Sequence, residues 1–254
     1  MSKEFSDSAS QYGLKLNYDK TKVMTWDSLK NGSSSIAVAG NRVEILGESV
    51  GEKYLGRRIC FSGGHQAELQ NRISSAWTAF HTHKGELCNK NYCMKIRIKL
   101  FDAVVTPTVL YGCPAWALTK TAEQQLKTQR RKMLRYVFRI FRRPSTETWV
   151  EYLSRSASTI DGLTNTHPMI DWVTESRRRK WRFAGKLART VDGRWSAKII
   201  SWDPHHGVGR RVGRPLLRWA DDIETVAGGK WVEAAQDDKL WAHLEEGYVQ
   251  RLNI

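Results

Sequence analysis

Eight lysine and arginine side chains and no acid stand between residues 127 and 143, in the run KTQRRKMLRYVFRIFRR. Lys127, Arg130, Arg131, Lys132, Arg135, Arg139, Arg142 and Arg143 are therefore the first candidates for phosphate binding. A guanidinium presents paired donors that match a phosphate, and such contacts carry affinity without reading sequence. A second cluster, Arg177, Arg178, Arg179, Lys180 and Arg182, repeats the pattern beside Trp172 and Trp181. A third, Arg210, Arg211, Arg214 and Arg218, lies in a Gly/Pro-rich connector able to order on RNA. Like charges packed so densely on a helix repel each other. Solvent and salt tolerate that, or a polyanion neutralises it. The two tryptophans either stack on unpaired bases or fill a core, and their helical spacing favours the core.

Other chemistry is sparse. The seven histidines are dispersed, and His81 and His83, two apart, would leave a helix on different faces. Cys88 and Cys93 are close, but no second pair and no histidine at ligand spacing completes a zinc knuckle. No serine or cysteine sits in a recognisable nucleophile motif. No metal site is assigned, and no cofactor is expected in this chain.

The elements that must position the basic clusters follow from composition and periodicity. At 254 residues, 41% hydrophobic with eleven tryptophans, the chain can build a core of its own. The net charge of +15 is uneven: +2 over residues 1–65, +10 over 66–150, +8 over 151–218 and −5 over 219–254. Such a distribution favours RNA or DNA as partner. A membrane surface is disfavoured, because no long apolar run and no amphipathic terminal anchor accompany the basic helices. The N-terminus MSKEFSDSASQYG lacks the apolar stretch of a signal peptide, so a nuclear or cytoplasmic location is expected.

The expected fold class is α+β, mainly α, with a small β-containing unit over residues 1–64 followed by helices. Residues 3–13 read as a helix stopped by Gly13, with strand-like alternation at Leu14–Asn17 and Lys22–Trp26. Gly40-Asn41 marks a two-residue hairpin, and Tyr54–Phe61 a further strand. Leu69, Ile73, Trp77 and Phe80 mark an amphipathic helix, and Ile98, Phe101 and Val105 another that Pro107 should end. Thr121 with Gln124 suggests a capping box for the basic helix. Continued to Arg143, that helix is about 35 Å long and places Leu126, Met133, Leu134, Val137 and Phe141 on one face. Ser154–His167 is polar and reads as a loop, with a boundary at or near it. Asp171–Arg189, Leu216–Ala227 and Trp231–Leu252 read as the closing helices. Three regions result: 1–64, 65–153 and 154–254.

Several short motifs occur in an informative order. Tyr12-Gly-Leu-Lys-Leu-Asn-Tyr-Asp-Lys-Thr-Lys-Val-Met24 is followed by Lys53-Tyr-Leu-Gly56 with Ile59. Then come Pro107…Leu110-Tyr-Gly…Trp116, Gln129-Arg-Arg-x-Met-Leu-Arg135, Arg179-Lys-Trp-Arg-Phe-Ala-Gly185 and Gly213-Arg-Pro-x-x-Arg-Trp-x-Asp-Asp-Ile223. Together they resemble, over nearly the whole chain, the back half of reverse transcriptases from non-LTR (LINE-like) retrotransposons. The resemblance implies a palm remnant over 1–64, a helical thumb over 65–153 and a basic helical C-terminal extension over 154–254. It implies an RNA-directed DNA polymerase whose metal-binding aspartates lie before the segment that begins here. Magnesium is thus expected only for an intact family enzyme, with the catalytic half as a possible partner and no polymerisation by this chain alone. By the same resemblance Lys20 sits near the incoming nucleotide's phosphates, and Tyr54 and Leu55 touch the primer. On its own residues, Lys20 reads as a surface lysine beside a turn held by Asn17 and Thr21, and Tyr54 and Leu55 as strand core. Lys186 stands where many relatives have histidine, and no Cys-Cys-His-Cys knuckle or nuclease constellation is legible.

Trp219-Ala-Asp-Asp222 imitates the polymerase turn. Arg218 before it and Glu224-Thr225 after it are not the apolar strands of a buried hairpin, and adjacent aspartates near a helix start favour the helix dipole. The alternatives to the polymerase fragment are a stand-alone nucleic-acid-binding helical module, a metal-dependent enzyme using Asp221 and Asp222, and a nonfunctional transposon relic.

Overall fold

The computed structural model describes residues 2–24, 34–38, 40–46, 51–59, 64–190, 195–200 and 218–250. The chain is mainly α-helical with a small strand-containing region, the α+β class its periodicities imply. It divides into two units, residues 1–71 and 72–254, each with its own contacts. No described helix is long and apolar enough to cross a membrane.

In the first unit, α1 (Ser2–Ser10) ends where Gly13 adopts φ +71°, with Leu14 N–H donating to Ala9 O at 3.1 Å. No strand forms over Leu14–Asn17. Asn17 instead spends its side chain and carbonyl on a turn: Oδ1 accepts from Lys20 N–H at 3.1 Å, and Thr21 Oγ1 donates to Asn17 O at 2.8 Å. Such local bonds compete with strand pairing. β1 (Lys22–Met24) lies parallel to β3 (Asn41–Leu46), which pairs antiparallel with β2 (Ser35–Val38), giving the order β1-β3-β2. Lys22 and Glu44, opposite each other, form an ion pair. Val38 pairs with Asn41, so Asn41 belongs to β3 rather than to the expected Gly40-Asn41 turn; residue 39 lies outside the described residues. The expected strand over Tyr54–Phe61 is instead a hairpin of β4 (Glu52–Tyr54) and β5 (Arg57–Ile59), with residues 60 and 61 outside the described residues. Leu55 at φ +49° and Gly56 at φ +79° form its two-residue turn, the mirror-image type whose twist matches a hairpin.

The division between units falls within α2 (Gly64–Thr82). In the second unit, α3 (Lys84–Leu87) precedes α4 (Met94–Val109), whose Ile98, Phe101, Val105 and Val109 are buried at three- and four-residue spacing. α4 runs through Pro107 rather than stopping before it. The proline costs one hydrogen bond near the end of the helix, and burial of Val105, Thr106 and Val109 carries the last turn. A 3₁₀ turn at Cys113–Ala115 leads to α5 (Lys120–Val137). Its cap is Thr119, whose hydroxyl accepts from Ala122 N–H at 3.2 Å, two residues before the expected Thr121.

Leu126, Met133, Leu134 and Val137 are fully buried, but α5 spans 18 residues, about 27 Å, and does not reach Arg143. Ile140 N–H donates to Arg135 O at 2.8 Å and Arg139 N–H to Tyr136 O at 3.1 Å, with Arg139 at φ +58°. This is a Schellman closure with arginine where glycine is usual. Packing imposes it: Ile140 is buried and its carbonyl accepts the Tyr152 hydroxyl at 3.2 Å, while buried Arg97 donates to Val137 O. Phe141 consequently leaves the apolar face and is 53% exposed.

The expected loop at Ser154–His167 is helical: α6 spans Trp149–Thr166. A reciprocal capping box starts it, with Thr148 and Glu151 satisfying each other's backbone N–H groups. Tyr152, Ser156 and Ile160, four apart, bury one face. α7 (Trp172–Ala188) begins at Asp171, whose carboxylate caps Val173 and Thr174 N–H at 3.1 and 3.0 Å. Trp172 lies parallel to Phe101 at 6.0 Å and donates to Thr106 Oγ1 at 3.0 Å, fixing α7 to α4.

α8 (Trp195–Ile200) follows. Residues 216 and 217 lie outside the described residues, and α9 spans Asp221–Ala227. The last expected helix is two, α10 (Trp231–Ala234) and α11 (Asp238–Gln250), because Asp237 breaks the run by capping Lys239 and Leu240 N–H. Trp181, Ala184, Ile223, Trp231, Ala235, Trp241, Tyr248 and Val249 form the core here. Trp181 and Trp241 stack at 3.9 Å, and each indole N–H donates to the other's backbone carbonyl, at 3.0 and 3.1 Å.

Gly185 exists for that stack. A Cβ on it would lie 2.4 Å from Trp241 Nε1, and the indole cannot retreat from a doubly hydrogen-bonded seat. Gly185→Ala gains about 1 kcal/mol of helix propensity against about 1–3 kcal/mol of overpacking. A net loss of about 1 kcal/mol is expected, read as a melting temperature lower by about 2–4 °C.

Candidate nucleic-acid interface

α5 and α6 run side by side and leave an open cleft of about 660 Å³. Lys127, Arg130, Arg131 and Arg135 of α5 line it, facing Ile160, Asp161 and Thr164 of α6 and Met169 and Asp171 beyond. Four cations thus face two carboxylates. Arg130 is the anchored one: it is 9% exposed, donates Nε to Ile170 O at 3.1 Å and lies 3.7 Å from Asp171. Burial pulls its pKa below the usual arginine value, while Asp171 and Asp102 pull it back. Arg131 pairs with Asp161 at 3.2 Å, both about half exposed, a contact worth at most about 1 kcal/mol that a phosphate can replace. Arg135 donates Nε to Ser156 Oγ at 3.1 Å and lies over the Tyr152 ring.

The remaining cations are Lys132 on α5 and Arg139, Arg142 and Arg143 past its end. Lys132 and Arg143 are exposed, and exposed Arg139 donates to Cys88 O at 3.2 Å. Arg142 donates to Glu147 O at 3.2 Å and lies 4.9 Å from the Trp149 ring centre. Glu147 grips Arg155 with both oxygens and accepts Arg143 N–H at 2.7 Å. Those bonds, Arg155 foremost, hold its carboxyl down to about 2, far below the ordinary range. Residues of α6 that complete the cleft escaped the sequence reading because Ser154–His167 was expected to be a loop. The signal was Thr148-x-x-Glu151 ahead of Tyr152, Ser156 and Ile160.

The second cluster sits differently. Arg177 is held by Glu123 at 2.5 and 3.1 Å and by Val249 O at 3.2 Å. Arg178 lies among Glu175, Glu245 and Glu246. Arg179 pairs with Glu175 at 2.7 Å, and Arg182 forks onto Glu245. Trp172 and Trp181 are 1% and 0% exposed and cannot meet a base. The acids that neutralise α7 come largely from residues 219–254, whose charge of −5 was the legible signal.

In the first unit Lys20 is exposed beside the Asn17 turn. Tyr54 and Leu55, read as strand core, are instead 63% and 77% exposed at the hairpin tip. A left-handed leucine costs about 1–2 kcal/mol, here at a position 77% exposed.

Of the third cluster, Arg210, Arg211 and Arg214 lie outside the described residues, and Arg218 is exposed. Arg218 N–H donates to Asp221 Oδ2 at 2.7 Å, which draws Asp221 into the start of α9. Asp222 turns inward, where Lys180 Nζ bonds its two oxygens at 2.9 and 3.0 Å and the Tyr248 hydroxyl adds a third bond at 2.8 Å. A metal at this pair would have to displace Lys180, whose side chain is 5% exposed and lies over Trp219. The metal-ligand alternative gives way to a structural anchor. Asp222→Ala strips a buried ammonium of its partner and is expected to cost about 3 kcal/mol, the low end of the range because Asp222 is one-third exposed. Asp221→Ala should cost no more than about 1 kcal/mol. Denaturant titration of the two variants separates the roles.

No family model matches the chain, and no solved structure matches it. It is 28% identical over 253 residues to an uncharacterised transposon-derived protein of Caenorhabditis elegans, F52C9.6. The alignment covers 95% of this chain and 86% of the relative, so this chain is similar to a transposon-derived protein across both of its units.

Proposed function

We propose that the chain is the C-terminal portion of a non-LTR retrotransposon reverse transcriptase, and that it holds RNA or DNA without sequence preference. The cleft between α5 and α6 carries the reading: it is open, concave and lined by Lys127, Arg130, Arg131 and Arg135. Buried Arg130 supplies a fixed charge and Arg131 and Arg135 adaptable ones, an arrangement suited to sugar–phosphate backbone. The ordered motifs, the transposon-derived relative and the strained, solvent-facing Tyr54-Leu55 tip support the assignment to a polymerase. The paired arginines of α7 act chiefly as structure in this reading.

Each cation that neutralises a phosphate adds about 0.9 to the slope of log affinity against log salt. Replacing Lys127, Arg131 and Arg135 together by glutamine is expected to flatten that slope by about 2–3. The affinity loss should be equal for unrelated sequences. An unchanged slope removes the cleft from the interface. Arg139→Gly separates function from folding: it relieves the left-handed strain and should raise stability by about 1 kcal/mol, while weakening binding in the same salt titration. A loss of stability would show that the arginine is there for the fold.

A further inference from the structure

The start of α6 carries an aromatic surface that the sequence reading did not single out. Trp149, in its first turn, is 61% exposed, and Phe141, in the preceding segment, is 53% exposed. The Arg142 guanidinium lies 4.9 Å from the Trp149 ring centre, and Tyr152 meets Trp149 edge-on at 5.6 Å. Arg135, which also lines the cleft, lies 5.5 Å from the Tyr152 ring on the cleft side of the same helix pair. Arg135, buried Tyr152, Trp149 and Arg142 therefore form a chain of contacts that links the basic cleft to the exposed Trp149. From Asp161 in the cleft to Trp149 is about 18 Å along α6, room for a few nucleotides.

We propose that Trp149, beside Arg142, is a stacking platform for an unpaired base of a single strand whose phosphates continue into the α5–α6 cleft. The proposal rests on the nucleic-acid reading above and adds a class of ligand to it. Charge selects the occupant. Arg142, Arg143 and Arg155 outnumber Glu147 and Glu151 in the segment around the patch. Glu147 is already engaged by Arg155, and Glu151 by Thr148. A second copy of the chain would bring the same positive patch against itself. Bases within a duplex have their faces covered, whereas a single strand offers them, and a ring beside a guanidinium holds such faces regardless of sequence.

Fluorescence anisotropy with three labelled probes of about 12 nucleotides tests this: a single strand, a duplex, and a single strand with abasic sugars. Trp149→Ala should weaken single-strand binding about tenfold and leave duplex binding within about twofold, and Trp149→Phe should restore most of the loss. The abasic strand should bind the unaltered protein as weakly as Trp149→Ala binds the intact strand, a comparison that needs no variant to fold. Equal affinity of Trp149→Ala and the unaltered protein for the single strand overturns the platform. So does equal affinity for intact and abasic strands, or a variant that merely abolishes self-association measured by light scattering. If the unaltered protein binds no probe, the platform and the underlying reading both fall. If it binds and Trp149 is indifferent, only the platform does.

Discussion

Neutralisation of α7 by its own Glu175 and by acids from α5, α9 and α11 is the constraint on which the helical unit depends. Of five basic residues within six positions, Lys180 is buried and Arg177 nearly so, and neither could be so while charged without a carboxylate or a carbonyl. Glu123, Glu175, Asp222, Glu245 and Glu246 supply them. Once Lys180 and Arg177 are satisfied, the apolar stripe between them can close, and Trp181 meets Trp241 face to face. The double indole-to-carbonyl exchange then fixes the register of α11 on α7. Exposed members of the network add little individually, whereas Lys180, buried against Asp222 and Tyr248, cannot lose its partner cheaply.

The same accounting isolates α5. Its only acid, Glu123, is turned toward α7, so Lys127, Arg131, Lys132 and Arg135 have no carboxylate from their own helix. α6 offers Asp161 alone on the cleft face, against Arg131. Two basic helices of similar composition thereby reach opposite ends: one is glued inward by a complementary acidic segment, the other is left to face solvent. Function is proposed for the second because its charge is left over after folding has used what it needs.

Much of this was legible beforehand. Helical periodicity identified the buried faces of α2, α4, α5 and α7, and the Asn17–Thr21 turn was readable from side chains that bond their own backbone. Boundaries were less so. α5 stops at Val137 because Ile140 is drawn beneath Tyr152, a contact no local pattern announces. α6 was hidden by its serines and threonines, which spend their hydroxyls on carbonyls of the preceding turn, as Thr159 does on Arg155 O and Thr166 on Gly162 O. At the site, basic character was plain, but its direction was not. A one-dimensional reading counts arginines without knowing which will find Glu245 and which will find water.

Arg139 closes α5 in a conformation that glycine adopts without strain. Every arginine codon lies a single base change from a glycine codon, so relief of that strain is always one step away. Under the proposed function, a copy released from the need to bind nucleic acid would gain folding stability by taking it, at the loss of the exposed Arg139 bond to Cys88 O. On that reading, position 139 is where copies that bind and copies that no longer do are expected to diverge.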